Sequence, residues 1–174
     1  MAQGVNIEVD VARVLQEELA RARATIISNM EAAGQRATGR TADSMSVAVE
    51  GEGVHYTGLL TARPFFGALE TGSRPWSKQY TRKTKDGREV PSPPKFFVDI
   101  IDEWATAKGL ALSPYLVARK IMTDGSKLYR DGGRTDIFTP VVDTTFKAVA
   151  ERLFVMFDHT ITTSILDTIK QYRK

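Results

Sequence analysis

Seven apolar residues near the start of the chain, Val11, Leu15, Leu19, Ala22, Ile26, Met30 and Ala33, recur at steps of four, four, three, four, four and three. Residues so spaced share one side of an α-helix, so the stripe predicts a long amphipathic helix from about Val9 to Ala33. Glu17 stands four residues before Arg21 and supports it, Asp10 or Asn6 is placed to cap its start, and Gly34 to end it. A helix this long with so narrow a stripe either lies across a sheet or pairs with a neighbouring subunit.

A sheet follows. Thr38-Gly39-Arg40-Thr41-Ala42-Asp43-Ser44 has the glycine and hydroxyls of a turn. Met45, Val47 and Val49 then alternate with Ser46, Ala48 and Glu50, Gly51-Glu52-Gly53 turns the chain, and Val54 to Leu60 returns it. This is a β-hairpin, in which Gly58 marks a bulge or a close backbone approach. Arg63-Pro64 ends the strand, and Phe65 to Thr71 reads as a short helix stopped by Gly72. Pro94 opens another helix through about Lys108, with Phe96, Phe97, Ile100, Ile101, Trp104 and Ala107 on one face, Phe96, Phe97 and Trp104 as a core anchor, and Gly109 as its stop. Ser113-Pro114 caps a third, which Asp124-Gly125-Ser126 ends. Asp131-Gly132-Gly133-Arg134 is a flexible loop. From Val141 to Tyr172 helical spacing continues, with a break or bend expected near Asp158-His159, where threonines lower the propensity. The whole predicts an α+β fold: a long N-terminal helix packed on a small antiparallel sheet, with further helices in the C-terminal half. Residues 1–112 are expected to form the α+β core, and residues 113–174 a helical extension of the same domain.

Between Ser73 and Pro93 the chain is polar and basic, with Asp86-Gly87 as its tip turn. Loops of this length inside a compact domain are usually functional or disordered. Trp76, Lys78, Arg82, Lys83, Lys85 and Arg88 are therefore the candidate contacts with a partner subunit or with DNA phosphate. An internal echo surrounds this loop. Glu70-Thr71-Gly72-Ser73 is followed by Phe96-Phe97, and Thr123-Asp124-Gly125-Ser126 by Ile137-Phe138. Each is a helix end, a glycine-serine turn, a basic loop and an aromatic lead into another helix.

Composition narrows the function classes. With 174 residues, 42% of them hydrophobic, the chain suits one compact domain. The excess of 24 Lys and Arg over 21 Asp and Glu gives a net charge of +3, well short of the clustered charge of a dedicated DNA binder. There is no cysteine, hence no disulfide and no thiolate metal site. No apolar run approaches the roughly 18 residues of a membrane span, and the first residues lack a leader pattern, so a protein made soluble inside its cell is expected. The two histidines, His55 and His159, have no second ligand at metal spacing. Asp99 with Asp102-Glu103 reads as a solvated helix face rather than an acid–base pair. Thr38-Gly39-Arg40-Thr41 and Asp131-Gly132-Gly133-Arg134 lack the lysine and strand–loop–helix context of a nucleotide loop, and no serine sits in a strained elbow. No catalytic, cofactor-binding or metal-ligating residue is assigned, and no small-molecule substrate or membrane partner is expected.

The order of elements resembles the neck and tail-completion (head–tail joining) proteins of tailed bacteriophages. The residues that carry the resemblance are Thr38-Gly39-Arg40-Thr41-Ala42-Asp43-Ser44, then Phe66-Gly67-Ala68-Leu69-Glu70-Thr71-Gly72-Ser73, then Pro93-Pro94-Lys95-Phe96-Phe97, spread over roughly residues 9 to 107. Each motif is short, and their order is what matches. The resemblance implies a structural virion protein without enzymatic activity or cofactor, made in the host cytoplasm. It implies a ring of copies at the head–tail junction that contacts portal, adaptor or tail proteins, with non-specific contact to the passing genome. A small basic nucleic-acid-binding protein, using the same basic loop, is the alternative that the sequence leaves open.

Overall fold

The structure is a computed structural model, and it describes residues 7–52, 55–77 and 80–172. In chain order the elements are α1 (Ile7–Ala32), α2 (Arg40–Asp43), β1 (Ser46–Glu52), β2 (His55–Thr61), α3 (Ala68–Thr71), β3 (Thr81–Lys83), β4 (Glu89–Pro91), α4 (Lys95–Ala107), α5 (Pro114–Asp124), α6 (Lys127–Arg130) and α7 (Thr139–Tyr172). This is the expected α+β class, with a long first helix, antiparallel two-stranded pairings and further helices in the C-terminal half. The chain divides into two compact units, one of Met1–Ile26, Met45–Thr61 and Thr139–Lys174, the other of Ile27–Ser44 and Ala62–Phe138.

In the first unit α1 lies on β2. Gly58 makes this possible: it sits opposite Val49 in an unbroken antiparallel register, and a Cβ there would stand 2.6 Å from Leu19 Cδ1. Of the two meanings a strand glycine can have, close approach is the one that holds. Arg23 Nε donates to Met45 O at 2.8 Å, while Val14, Ala22, Ile26 and Val141 are buried. Charge joins α7 to α1. Arg152 donates to Glu17 at 2.7 Å and to Glu18 at 2.6 Å, and the buried Glu18 also accepts from Arg21 at 2.8 Å. Arg21 thus pairs with Glu18 and not with Glu17, the partner its spacing suggested. Arg152 occupies Glu17, and its hydrogen bond holds that carboxyl below the ordinary carboxylate range. A buried carboxylate held by two guanidinium groups keeps its charge compensated.

No break interrupts α7 at Asp158-His159, and the helix runs through it. Thr160 and Thr168 donate to the carbonyls of Met156 and Ser164, four residues back. Two hydroxyls in this threonine-rich stretch are thus satisfied inside the helix itself.

In the second unit α1 ends at Gly34, whose φ of 64° lets Gln35 N donate to Met30 O at 2.8 Å. Lys108 Nζ reaches the same end, donating to Gly34 O at 2.6 Å and to Arg36 O at 3.0 Å. The stretch from Thr38 is more than a turn. After left-handed Gly39 it coils into α2 and buries Ala42. Phe65–Thr71 is α-helical only in α3; ahead of it, Phe66 N, Ala68 N and Leu69 N donate to carbonyls three residues back, a tighter winding. The core anchor of α4 also needs correction. Ile101 and Ala105 are buried, whereas Phe96 (58%), Ile100 (52%) and Trp104 (36%) remain exposed. The helix carries adjoining apolar stripes. The stripe with Ala105 turns inward because a small side chain lets α5, with Ala118 wholly buried, pack close.

The two echoed segments meet each other. Gly72 and Gly125 end α3 and α5 in the same conformation, φ 70° and ψ 177° against φ 82° and ψ 168°, a region nearly reserved for glycine. Ser126 N donates to Ser73 O at 2.7 Å, and Ser73 N donates to Ser126 Oγ at 2.9 Å. The same oxygen accepts from Tyr129 N at 3.2 Å and so caps α6, a helix turn the sequence had not suggested.

Beside this clasp, Glu70 is 3% exposed. Its Oε1 accepts from Ile137 N at 2.8 Å and from Phe138 N at 2.7 Å, and its carbonyl accepts from Arg134 N at 2.8 Å. Gly133, at φ 81°, allows that approach, since a Cβ there would lie 2.9 Å from Glu70 O. Ile137 is fully buried, and its carbonyl takes Asn29 Nδ2 at 2.8 Å.

Removing the Glu70 carboxylate strands two backbone N–H groups. Glu70→Ala is expected to lower the unfolding free energy by roughly 3 kcal/mol in urea denaturation, and Glu70→Gln, which keeps an acceptor oxygen, by less. Gly72→Ala would place a Cβ 2.4 Å from Tyr129 N at a positive φ, and is expected to cost about 2 kcal/mol or more. Gly67→Ala, with open space around it and φ of −56°, is the control and should be neutral or slightly stabilising.

Candidate functional site

The basic stretch between Ser73 and Pro93 is a ribbon, not an open loop. Thr81, Arg82 and Lys83 pair with Pro91, Val90 and Glu89. Thr84 N donates to Arg88 O at 2.8 Å and Gly87 N to Thr84 O at 3.0 Å. The expected Asp86-Gly87 tip is thus a three-residue hairpin connection with left-handed Gly87, φ 77°. Alternation of Thr81, Lys83 and Lys85 with basic and polar neighbours gave no apolar face, which is why the strands were not legible.

The candidate contacts take different places on this ribbon. Lys83 and Lys85 are exposed and have no ion-pair partner among the described residues. Arg88, also exposed, pairs with Asp86 at 2.7 Å. The Ser92 hydroxyl first, and then the Arg82 guanidinium, hold the Tyr115 phenol of α5 below its ordinary value. Lys78 lies outside the described residues.

Trp76 is the base of the ribbon rather than a free contact. Its N–H donates to Met122 O at 3.0 Å. Its ring lies 4.8 Å from Phe97, 6.3 Å from Phe96 in a stacked arrangement, and 6.0 Å from Tyr80 edge-on. Ser92 N donates to Tyr80 O at 2.8 Å, and Pro93 is buried where the ribbon returns to α4. Aromatic pairs of this geometry add stability beyond their buried area, so the ribbon stands on a stiff footing.

Two clefts open on either side of Phe65, which is 85% exposed. One, of about 640 Å³, runs from Phe65 past Gly72 to Trp76 and Tyr80. The other, of about 460 Å³, is lined by Arg36, Arg40 and Arg63 together with Phe65, Ile100 and Trp104. Arg36 pairs with Glu31 and Arg40 with Glu103, and Gln35 Oε1 is buried there without a partner. The carboxylates of α4 are surface groups: Asp99 holds Lys95 at 2.8 Å and Glu103 holds Arg40. His55 and His159 are both exposed, in β2 and α7. Among the described residues no group of three or more His, Asp or Glu side chains is arranged to hold a metal ion, and no helix is long and apolar enough to cross a membrane.

No protein-family model, curated protein or solved structure matches this chain. Two residues of structural weight escaped the sequence: Glu70, as a buried acceptor, and Ser126, as a double acceptor. The echo of Glu70–Ser73 in Thr123–Ser126 was the available signal, but nothing in a sequence says that two echoed segments will touch.

The Tyr115 contact has a definite pH sense. The phenol is depressed from 10 in the folded chain, so the extra stabilisation is present above the unfolded value near pH 10 and is lost as pH falls through the folded value. Arg82→Ala is expected to move the Tyr115 titration upward, part of the way back to 10, in an ultraviolet difference titration read against Tyr115→Phe.

Proposed function

We propose that this chain is a structural subunit of a tailed bacteriophage: a ring-forming neck, connector or tail-completion protein at the head–tail junction that acts by assembly and not by catalysis. The observation that carries this is the stiff footing of the basic ribbon, in which Trp76, Phe97 and Met122 hold the base while Lys83 and Lys85 stay exposed, without an ion-pair partner among the described residues. The ordered motifs of the resemblance support it, and so does the division of labour among them: Glu70 and Gly72 build the clasp, Pro93 to Phe97 the footing. A subunit that joins one layer of a particle to the next needs a rigid body and an exposed reach.

Its partners are then further copies of itself and the portal, adaptor or tail proteins, an acidic surface of which suits the ribbon. Genomic DNA passing such a ring would meet a mild positive charge, enough to attract phosphate and too little to grip it. The protein would be made in the host cytoplasm and end in the virion.

A dedicated nucleic-acid binder would use the same two lysines, and salt separates the readings. Lys83→Glu with Lys85→Glu is expected to leave the unfolding free energy within about 0.5 kcal/mol of the parent, both being exposed, and to abolish joining of heads to tails in an in vitro assembly. Tight DNA binding by the monomer, with a log–log salt slope of about −2 that the same pair removes, would overturn the neck reading in favour of the binder.

A further inference from the structure

The cleft lined by Arg36, Arg40 and Arg63 lies wholly within the second unit, and it carries a charge that its own walls do not answer. Glu31 holds Arg36 and Glu103 holds Arg40, while Arg63 is exposed and has no ion-pair partner among the described residues. One guanidinium is left over. Gln35 lines the same cleft, donates from Nε2 to Leu69 O at 2.8 Å, and keeps its Oε1 buried without a donor among the described residues. Buried acceptors are seldom left so, and a donor brought to this one removes the cost. The third feature is apolar. Ile100 and Trp104 stand one turn apart on α4, on the stripe that α5 leaves uncovered, and Phe65 lines the cleft with them.

We infer that this cleft binds a segment of a partner polypeptide in which a carboxylate adjoins an aromatic or long aliphatic side chain. The carboxylate takes Arg63, whose planar fork matches it in two parallel hydrogen bonds. The adjoining side chain covers Phe65, Ile100 and Trp104, and a backbone N–H of the segment donates to Gln35 Oε1. Charge decides the class of ligand. One unanswered guanidinium calls for one negative charge, whereas a phosphate group brings close to two and would also face the Glu31 and Glu103 carboxylates. Nucleic acid binds mainly through its charge, and two of the three arginines here are already neutralised. A free small acid is disfavoured for another reason. Small-molecule sites enclose most of their ligand, and with Phe65 85% and Ile100 52% exposed this cleft of about 460 Å³ stays open along one side. A chain leaving through that opening covers the apolar rim as well, which contributes free energy that a small ligand leaves unused. Lys83 and Lys85 do not line this cleft, so the inference goes beyond the neck reading and does not rest on it.

The test uses the full-length chain. A random dodecapeptide display library is selected on the immobilised parent and counter-selected on Arg63→Glu. Enrichment of peptides that place Asp or Glu beside an aromatic or long aliphatic residue is expected. One such peptide, capped at both ends and labelled for fluorescence anisotropy, is then titrated beside a counterpart in which Asn or Gln replaces the acid. Neutralising the peptide and Arg63→Ala on the protein are each expected to weaken binding about tenfold or more. The two together should cost no more than either alone, because they remove the two halves of one contact. Phe65→Ser is expected to weaken binding several-fold. Both positions are exposed, and urea denaturation checks that each variant folds like the parent. At physiological salt, where distant charges are screened, Lys83→Glu with Lys85→Glu should leave the affinity within about twofold, so that the ribbon and the cleft fail separately. No enrichment, enrichment of neutral or basic peptides, or losses from peptide and Arg63 that simply add would each overturn the inference. So would displacement of the peptide by inorganic phosphate or short duplex DNA at constant ionic strength, which would make this an anion site or a nucleic-acid contact. If the parent self-associates and Arg63→Glu turns it into a monomer, the occupant is a second copy and the inference of a separate partner falls.

Discussion

The carboxylate of Glu70 is the contact on which the second unit depends. It sits at the end of a helix of a single turn, α3, which has no length to stabilise itself. Its oxygen takes two backbone N–H groups from Ile137 and Phe138, residues distant in sequence, in a place without solvent to replace it. Charge-assisted bonds to backbone donors are among the stronger polar contacts, and breaking one side leaves the other unpaired. One side chain thereby fixes where the chain leaves this unit, and Asn29 on the end of α1 holds the carbonyl of the same Ile137.

Around that carboxylate, glycines do the work of allowing backbone to meet backbone. Gly72 touches the first turn of α6, Gly125 faces Ser73 and Pro75, and Gly133 faces Glu70 itself. The Ser73 and Ser126 clasp is possible because both helix ends turn away in the same glycine-only conformation. The ribbon is mounted directly on it: Ser73 belongs to the clasp, and Trp76, three residues later, already packs on α4 and bonds α5. Position of the basic side chains is thus inherited from Glu70 through very few residues.

What was legible in the sequence follows from which forces leave a period. The stripe from Val11 to Ala33 gave α1 and its Gly34 end, alternation from Met45 to Leu60 gave the hairpin, and Pro94, Pro114, Gly109 and Gly125 gave the limits of α4 and α5. Where two patterns overlapped, the sequence could not choose. In α4 the stripes through Ile101 and Ala105 and through Ile100 and Trp104 are equally apolar, and the small Ala105 decided by letting α5 come near. In the ribbon, short strands with no buried face left no alternation to find, and Arg82 could be recognised as basic but not as a group that lowers the Tyr115 phenol. Contacts such as that of Glu70 with Ile137 leave no period at all, because they depend on tertiary proximity alone.

The distal part of α7 shows a tension that local forces do not resolve. Every residue from Ile161 to Lys170 is exposed, so no side-chain burial supports the helix there. Its sequence, Ile161-Thr162-Thr163-Ser164-Ile165, is rich in β-branched residues whose side chains lose freedom in a helix. Backbone bonds and the Thr168 hydroxyl turned on the Ser164 carbonyl support it, and such a segment is marginal by itself. β-branched residues are stiff, however, and when a helix face is to be covered, stiffness reduces the entropy lost on packing. A segment that is poor as an isolated helix and uniformly apolar on one side is therefore suited to being completed by another surface. The helix and its covering would then form together, with the cost of ordering met by the apolar area removed from water.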